Sequence, residues 1–263
     1  MLVYAAFTPH TPLLIPEIGK DNIKKIEKTA NAMQEIADDL YAMKPDTILF
    51  ISGHGTRYPD AFSITLSDNY KVDLSEFGEL THEENYHPDM LLIDRIQRAF
   101  RHEKIPFSLH PEETLDHGTS IPLLLLGTKL PEVRVVPVIY SELDAKTHFK
   151  FGQSLREIIE DTGRRVAVIA SGDLSHCLTT DSPAGYNPNG EEFDAKIQEL
   201  VTAGNAAGLI KLDDALIKDA AECGYRPLLI MFGVLDKINM KPVIHAYEAP
   251  FGVGYLTASF ELG

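Results

Sequence analysis

The stretch VAVIASGDLSHCL, Val166 to Leu178, begins as an apolar run and breaks at Ser171-Gly172-Asp173 before it reaches His176. A short, uninterrupted apolar run bounded by glycine and polar residues is the mark of a strand buried on both faces, as parallel sheets require. In open α/β sheets ligands bind in the crevice outside the carboxyl ends of the strands. The stretch therefore predicts a fold class and also where in that fold chemistry would sit.

Similar runs recur at Leu2 to Phe7, Thr47 to Ser52, Val133 to Tyr140, Val243 to Ala246 and Val253 to Phe260. Between them lie stretches of helical period. Asp21 to Met43 carries Ile23, Ile26, Ala30, Met33, Ile36 and Leu40 at three- and four-residue steps, and Pro88 to Phe100, Leu143 to Ile159, Glu191 to Val201 and Pro227 to Leu235 read the same way. A further helix opens at Leu212-Asp213-Asp214, with either aspartate as N-cap. This alternation predicts a single α/β domain over residues 1–263, with a mostly parallel central sheet flanked by helices. Two polar segments interrupt it, Ser67 to His87 and Thr179 to Gly190, as binding loops or solvated insertions do.

The 24 basic residues against 39 acidic ones leave a formal charge of −15, which disfavours nucleic acid and anionic membrane surfaces as partners. Cys177 and Cys223 are the two cysteines, too few for a disulfide framework, and point to a reducing, cytoplasmic location. The segment MLVYAAFTPHTPLLIP has no basic leader and is broken by His10 and prolines, so it does not read as a signal peptide. The longest apolar run, Ile121 to Leu126, is about a third of a membrane span. A homo-oligomer is the default expectation, from the frequency of closed two-fold assemblies.

Three histidines follow strand ends: His10 in FTPHTPLLIP, His54 in FISGHGTRYP and His176 in IASGDLSH. Although remote in sequence, they can converge on one sheet edge. His117, in LDHGTSIPLL, precedes a helix start with Thr119 or Ser120 as cap and Pro122 in the first turn. His102, His110 and His148 read as structural or solvated, and His82, His87 and His245 stay open.

Neither a GxSxG elbow nor a phosphate-binding glycine loop is present, which argues against serine hydrolysis and nucleotide chemistry. Metal binding fits better. Two imidazoles and a carboxylate form the facial triad that leaves Fe(II) open to substrate and O₂, and a similar set can hold zinc in a hydrolase. For the third ligand the sequence offers Glu222 and Cys223, ahead of an apolar helix, and Glu248 near a strand end. A carboxylate suits Fe(II), a thiolate softer metals or zinc.

The ordered set HTPLLIP, SGHG, LDHGTSIPLLLL, ASGDLSH, AAECGYRPLLIMFGVL and YEAPFGVGYLTA resembles the class III extradiol ring-cleavage dioxygenases, the LigB superfamily, near its Memo-like branch. The resemblance runs from His10 to about residue 260 and implies a LigB-like fold. It implies that His10 and His54 bind the metal, with Glu222 as third ligand, or Cys223 as in Memo-like relatives. His176 matches the family's acid/base histidine, and His117 the histidine beside the substrate and oxygen pocket. Asp116 and Asp173 are then candidates for orienting ring nitrogens. The implied activity is Fe(II)-dependent cleavage of a catechol or aminophenol-type ring with O₂. The better-known dioxygenases of the family also use a small partner subunit. A non-catalytic Memo-like metal- or peptide-binding protein is the alternative, with a zinc hydrolase behind it.

Overall fold

Parallel pairing carries the apolar runs into the middle of one large sheet. The chain is described here by a computed structural model covering residues 1–81 and 84–263; His82 lies outside the described residues. In chain order the elements are β1 (Leu2–Thr8), α1 (Pro16–Gly19), α2 (Glu27–Met43), β2 (Thr47–Ser52), β3 (Phe62–Leu66), β4 (Tyr70–Val72) and β5 (Asn85–Pro88). There follow α3 (Met90–Glu103), β6 (Phe107–Pro111), β7 (Thr114–Leu115), α4 (His117–Gly127), β8 (Arg134–Ile139), α5 (Ala145–Asp161) and β9 (Val166–Ser171). The last are α6 (Asn189–Thr202), α7 (Ala206–Ile210), α8 (Asp214–Ala220), α9 (Tyr225–Val234), β10 (Met240–Glu248) and β11 (Tyr255–Leu262).

Across the sheet the order is β10-β11-β1-β9-β2-β8, beyond which it splits into a β5-β4-β7 branch and a β3-β6 branch. The pairs β1·β9, β9·β2 and β2·β8 are parallel, whereas β10·β11, β11·β1 and β3·β8 are antiparallel. The expectation of a mostly parallel centre holds, and the flanks make the whole sheet mixed.

Every residue of β2 and β9 is buried. Alternation divides them between two cores: Leu49, Ile51, Val166, Val168 and Ala170 pack with α3, α5 and α9, while Ile48, Phe50, Ala167 and Ile169 pack with α2 and α4. A run buried on both faces shows no polar period, which is why these strands read as continuous apolar stretches.

Some sequence expectations shift. Residues Lys20–Ile26 form a tighter 3-10 segment, so the long first helix begins at Glu27. The cap of α4 is Asp116, whose carboxylate accepts from the Thr119 amide, in place of Thr119 or Ser120. Asp213, of the two aspartates considered, caps α8. The Ser67 to His87 segment contains β4 and most of β5 rather than a plain loop. Among the described residues no helix is long and apolar enough to cross a membrane.

Candidate metal centre

Strand order decides the site. β9 lies between β1 and β2, and all three run parallel, with Thr8 opposite Ser171 and Ile51 opposite Ala170. His10 and His54, each two residues past its strand, therefore stand on either side of the carboxyl end of β9. Their rings meet edge to face with centroids 4.6 Å apart. His10 is buried and held twice from β9's end: its Nδ1 lies 2.9 Å from Ser171 Oγ, and its backbone N–H donates to Asp173 Oδ1 at 3.1 Å.

The third donor comes from the turn before α9. The Cys223 N–H donates to the Asp173 carbonyl at 3.2 Å, and the Asp173 N–H donates to Cys223 Sγ at 3.2 Å. This mutual pairing requires glycine at 172, because a Cβ there would lie 2.2 Å from Gly224 Cα and 3.0 Å from the Cys223 carbonyl oxygen. Gly172 thus serves a close approach of two backbones. Cys223 Sγ comes 3.5 Å from His10 Nε2, and donor atoms of His10, His54 and Cys223 all lie within 4.8 Å of one another.

Two expected carboxylates point elsewhere. Glu222, adjacent to Cys223, is turned to the opposite side, where its Oε2 accepts from the Tyr225 N–H at 2.6 Å and it lines a separate cavity of about 550 Å³ with His148 and Arg226. It serves the amino end of α9, and burial raises its carboxyl to about 7. Glu248 accepts from both the amide and the hydroxyl of Thr29, each at 2.7 Å, and fastens β10 to α2. The thiol at 223, and not the carboxylate at 222 or 248, completes the donor cluster.

His117, the first residue of α4, stacks at a tilt on His54 with centroids 4.2 Å apart and lies 5.5 Å from His10. Its Nδ1 is 3.2 Å from Glu76 Oε1. Asp116, expected to orient His117, instead accepts from Ser52 Oγ at 2.6 Å and Thr119 Oγ1 at 2.9 Å, tying α4 to the end of β2. Asp173 stays with His10, its Oδ2 4.0 Å from Nε2. His176 sits half-buried with Nδ1 2.9 Å from the Leu174 carbonyl oxygen, while its backbone N–H donates to the Ala220 carbonyl. A carbonyl only accepts, so Nδ1 carries a proton, and in the neutral ring Nε2 is the acceptor.

A cavity of about 530 Å³ opens beside the cluster, lined by His54, His110, His117, Asp116, Glu76 and Glu112. His110, read as a structural or solvated residue, belongs to this wall and meets the Tyr58 hydroxyl at 3.1 Å. The missed signal is its strand: among the described residues β6 pairs with β3 alone at the sheet's rim, where no long apolar run marks it. His148 is buried with both ring nitrogens on backbone carbonyls, as a structural histidine would be, and His102 is exposed at the end of α3. His87 is exposed, and His245 bridges Glu35 and Ser259.

Burial, then the neighbouring histidines, drives His10 well below the ordinary imidazole range; burial, then His10 and His117, takes His54 down to about 3, although its ring edge meets solvent. Neutral imidazoles are the form that binds metals. Burial and the Asp173 charge push the Cys223 thiol well up, so a bound cation would be needed to hold it as thiolate. The two imidazoles and one sulfur fit a divalent transition metal. They are softer than the two-histidine, one-carboxylate set expected for Fe(II).

Comparison with known proteins agrees with this architecture. The chain is 31% identical over 256 residues to Protein CA_C1420 of Clostridium acetobutylicum, a match covering 94% of this chain and 55% of that protein, so it spans about half the relative's length. It is 26% identical to the 2-aminophenol 1,6-dioxygenase alpha subunit of a Pseudomonas species, over 99% of each chain. An uncharacterized Escherichia coli K12 protein shares the fold, with a TM-score of 0.66 at 18% identity over 98% of this chain and 99% of that one. Residues 4–258 match the model of the catalytic LigB subunit of aromatic ring-opening dioxygenases, and the chain belongs to that LigB family.

Proposed function

We propose that the chain is a metal-dependent oxidoreductase that opens a catechol or aminophenol-type ring with O₂, using a divalent metal held by His10, His54 and Cys223. The observation that carries this reading is the presence of two further histidines, His117 and His176, around a cluster that already has its two imidazole donors. A site that only binds a metal has no use for them. A redox-active metal such as Fe(II) supplies, when bound, Lewis acidity toward paired ring oxygens and one-electron chemistry toward O₂.

The chain's own residues supply the rest. His176, whose Nδ1–H donates to the Leu174 carbonyl, is held in the tautomer that leaves Nε2 as the acceptor; there it takes a proton from the substrate hydroxyl and returns it after ring opening. His117, with Nδ1 turned to Glu76, presents Nε2 as the second polar group on the cavity wall. Ser171 and Asp173 hold His10 in the orientation that frees its Nε2.

Anaerobically purified chain loaded with Fe(II) should consume O₂ with catechol or 2-aminophenol, and His176→Ala should slow turnover by about 10²–10⁴-fold with bound metal unchanged. Absence of O₂ consumption across a panel of such rings would refute the reading. Cys223 favours a second one, a Memo-like metal- or peptide-binding protein without catalysis, because a thiolate suits non-redox zinc. In that case the protein purifies with zinc and the His176→Ala variant matches wild type in every binding assay.

A further inference from the structure

His245 lies in β10 where the ladder to β11 slips: Ile244 pairs with Ala258 and Ala246 with Thr257, so His245 is the extra residue of a β-bulge. Bulges re-aim side chains and are concentrated next to active sites. The His245 Nδ1 lies 2.8 Å from Glu35 Oε2 on α2, and its Nε2 lies 2.8 Å from Ser259 Oγ on β11. A carboxylate only accepts, so Nδ1 carries a proton, and in the neutral ring Nε2 accepts from the serine hydroxyl. The order is carboxylate, imidazole, hydroxyl: a base within hydrogen-bond reach of a nucleophile and itself oriented by a third group. Such a set is recognised by geometry and not by sequence position, so the absence of a GxSxG elbow does not bear on it. A histidine that only tied α2 to β10 would need the Glu35 bond alone.

The serine opens on a cavity. Ser259 is 4% exposed, and it lines with His245 a space of about 560 Å³ that shares no residue with the cavity beside the metal cluster. This space lies at the amino end of β1, whereas His10 follows the carboxyl end. It exists because two strands part. Among the described residues β1 and β11 pair at Ala6–Ser259 and Phe7–Ala258 alone, and β11 then continues to Leu262 beside β10. The amides of Leu2–Tyr4 that turn away from β9 thus have no strand opposite them, and the walls of the space include Leu2, Val3, Met43, Val243, Phe260 and Leu262. Unpaired strand amides are donors for an oxyanion, and apolar walls suit a hydrocarbon chain. Burial, then Asp39, pushes the Tyr4 phenol up, so its hydroxyl, which donates to Asp39 Oδ2 at 3.3 Å, does not compete with His245 for the serine proton.

We propose that Ser259, His245 and Glu35 form a second, metal-independent site that hydrolyses carboxylic esters with a short apolar acyl group. Ser259 Oγ bonds to the ester carbonyl carbon while its proton passes to His245 Nε2; the bond from that carbon to the alcohol oxygen breaks, and the alcohol leaves with the proton. Water then gives a proton to the same Nε2 and bonds to the acyl carbon, the bond to Ser259 Oγ breaks, and the serine recovers the proton as the carboxylic acid departs. Ser259 and His245 are catalytic residues in this scheme, and Glu35, which reaches the ring from the exposed face of α2, is a positioning residue. No step draws on the metal centre, so the site stands apart from the ring-opening reading.

Two measurements on the whole chain, dialysed against a chelator, test it: reaction with a fluorophosphonate followed by peptide mass spectrometry, and release of nitrophenolate from p-nitrophenyl butyrate. The adduct should form on Ser259 of wild type and be lost in His245→Ala, although that variant keeps the serine. Ser259→Ala and His245→Ala should each lower kcat at least ~100-fold, while Ser259→Ala retains its metal-binding capacity. Glu35→Gln should lower kcat by about 10-fold with KM unchanged, and Glu35→Asp should recover part of the loss. Thermal melts identify any variant that fails to fold, and the labelling of wild type needs none. Absence of an adduct on Ser259 in folded wild type, an adduct on a different residue instead, or ester hydrolysis unchanged in Ser259→Ala would overturn the site and leave His245 as a tie between α2 and the sheet.

Discussion

The groups over β1, β9 and β2 and those on the cavity wall formed by residues 73–76 and 110–112 are held in different ways. His10, Asp173 and Cys223 are fixed by backbone hydrogen bonds between three segments far apart in sequence, and little of their surface meets water. Asp73, Glu76 and Glu112 stand in solvent on short rim elements, and Glu76 meets His117 through a single side-chain contact. Sheet register and these backbone bonds tie His10 and Cys223 to Asp173, whereas His54, the remaining donor, is exposed on the loop after β2. The wall adjusts charge and shape at small cost, which is where a family sharing one centre can vary its substrates.

The sharpest way to break this contrast is to substitute a glycine in each region. Gly172→Ala drives a methyl into the Gly224 backbone and should destabilise the chain by about 3 kcal/mol or more, because two backbones must separate. Gly78→Ala, on the rim at φ 81° with nothing within 4 Å of its Cβ position, should cost only about 1 kcal/mol of backbone strain. Urea melts of both variants check the pair, and equal costs would erase the distinction.

Next in size is the pair Cys223→Ala and Glu222→Gln. The first should weaken metal binding by at least about 100-fold, whereas the second should leave bound metal unchanged and lose only part of the α9 amino-end contact. Metal content after dialysis decides between these neighbours, and the opposite result would return the third ligand to Glu222.

A smaller effect lies beneath the loop that presents His176. Asp194 is buried, accepting from the Ser175 amide at 2.8 Å and the Tyr247 hydroxyl at 2.7 Å, and burial raises its carboxyl to about 6. A folded-state value above the unfolded one means that the folded chain binds the extra proton. Stability from this group is full below about pH 4 and lost as pH rises through about 6. Asp194→Asn should therefore remove that decline, gaining on the order of 1–2 kcal/mol relative to wild type near neutrality and nothing at pH 4. Melts at the two pH values test the sign.

The smallest effect is expected at the rim. Glu76→Gln leaves the metal donors untouched and weakens one contact to His117, so turnover should fall only about 3- to 10-fold with metal content constant. A loss as large as that of His176→Ala would mean that the rim is part of the centre.

Much of the frame was legible in the sequence. Apolar runs such as Thr47 to Ser52 coincide with their strands because burial on both faces leaves no other pattern. The rim strands β4, β6 and β7 were not legible: they are two to five residues long, half exposed, and stabilised by pairing rather than by an apolar run of their own. His10, His54 and His176 could be read from their places after strands, whereas His110 could not, since nothing local marks a rim strand as the wall of a cavity.

The sequence by itself determined that the chain would build a covered, largely parallel sheet and which segments would end at its carboxyl edge. Periodicity and apolar content act locally, and they suffice for that. Only the tertiary structure brings Cys223, and not Glu222, to His10 and His54. The two are adjacent, both can bind metals, and both precede the same helix. The choice follows from the pairing of Cys223 with Asp173 over Gly172, which turns successive side chains to opposite sides, a contact between segments 50 residues apart.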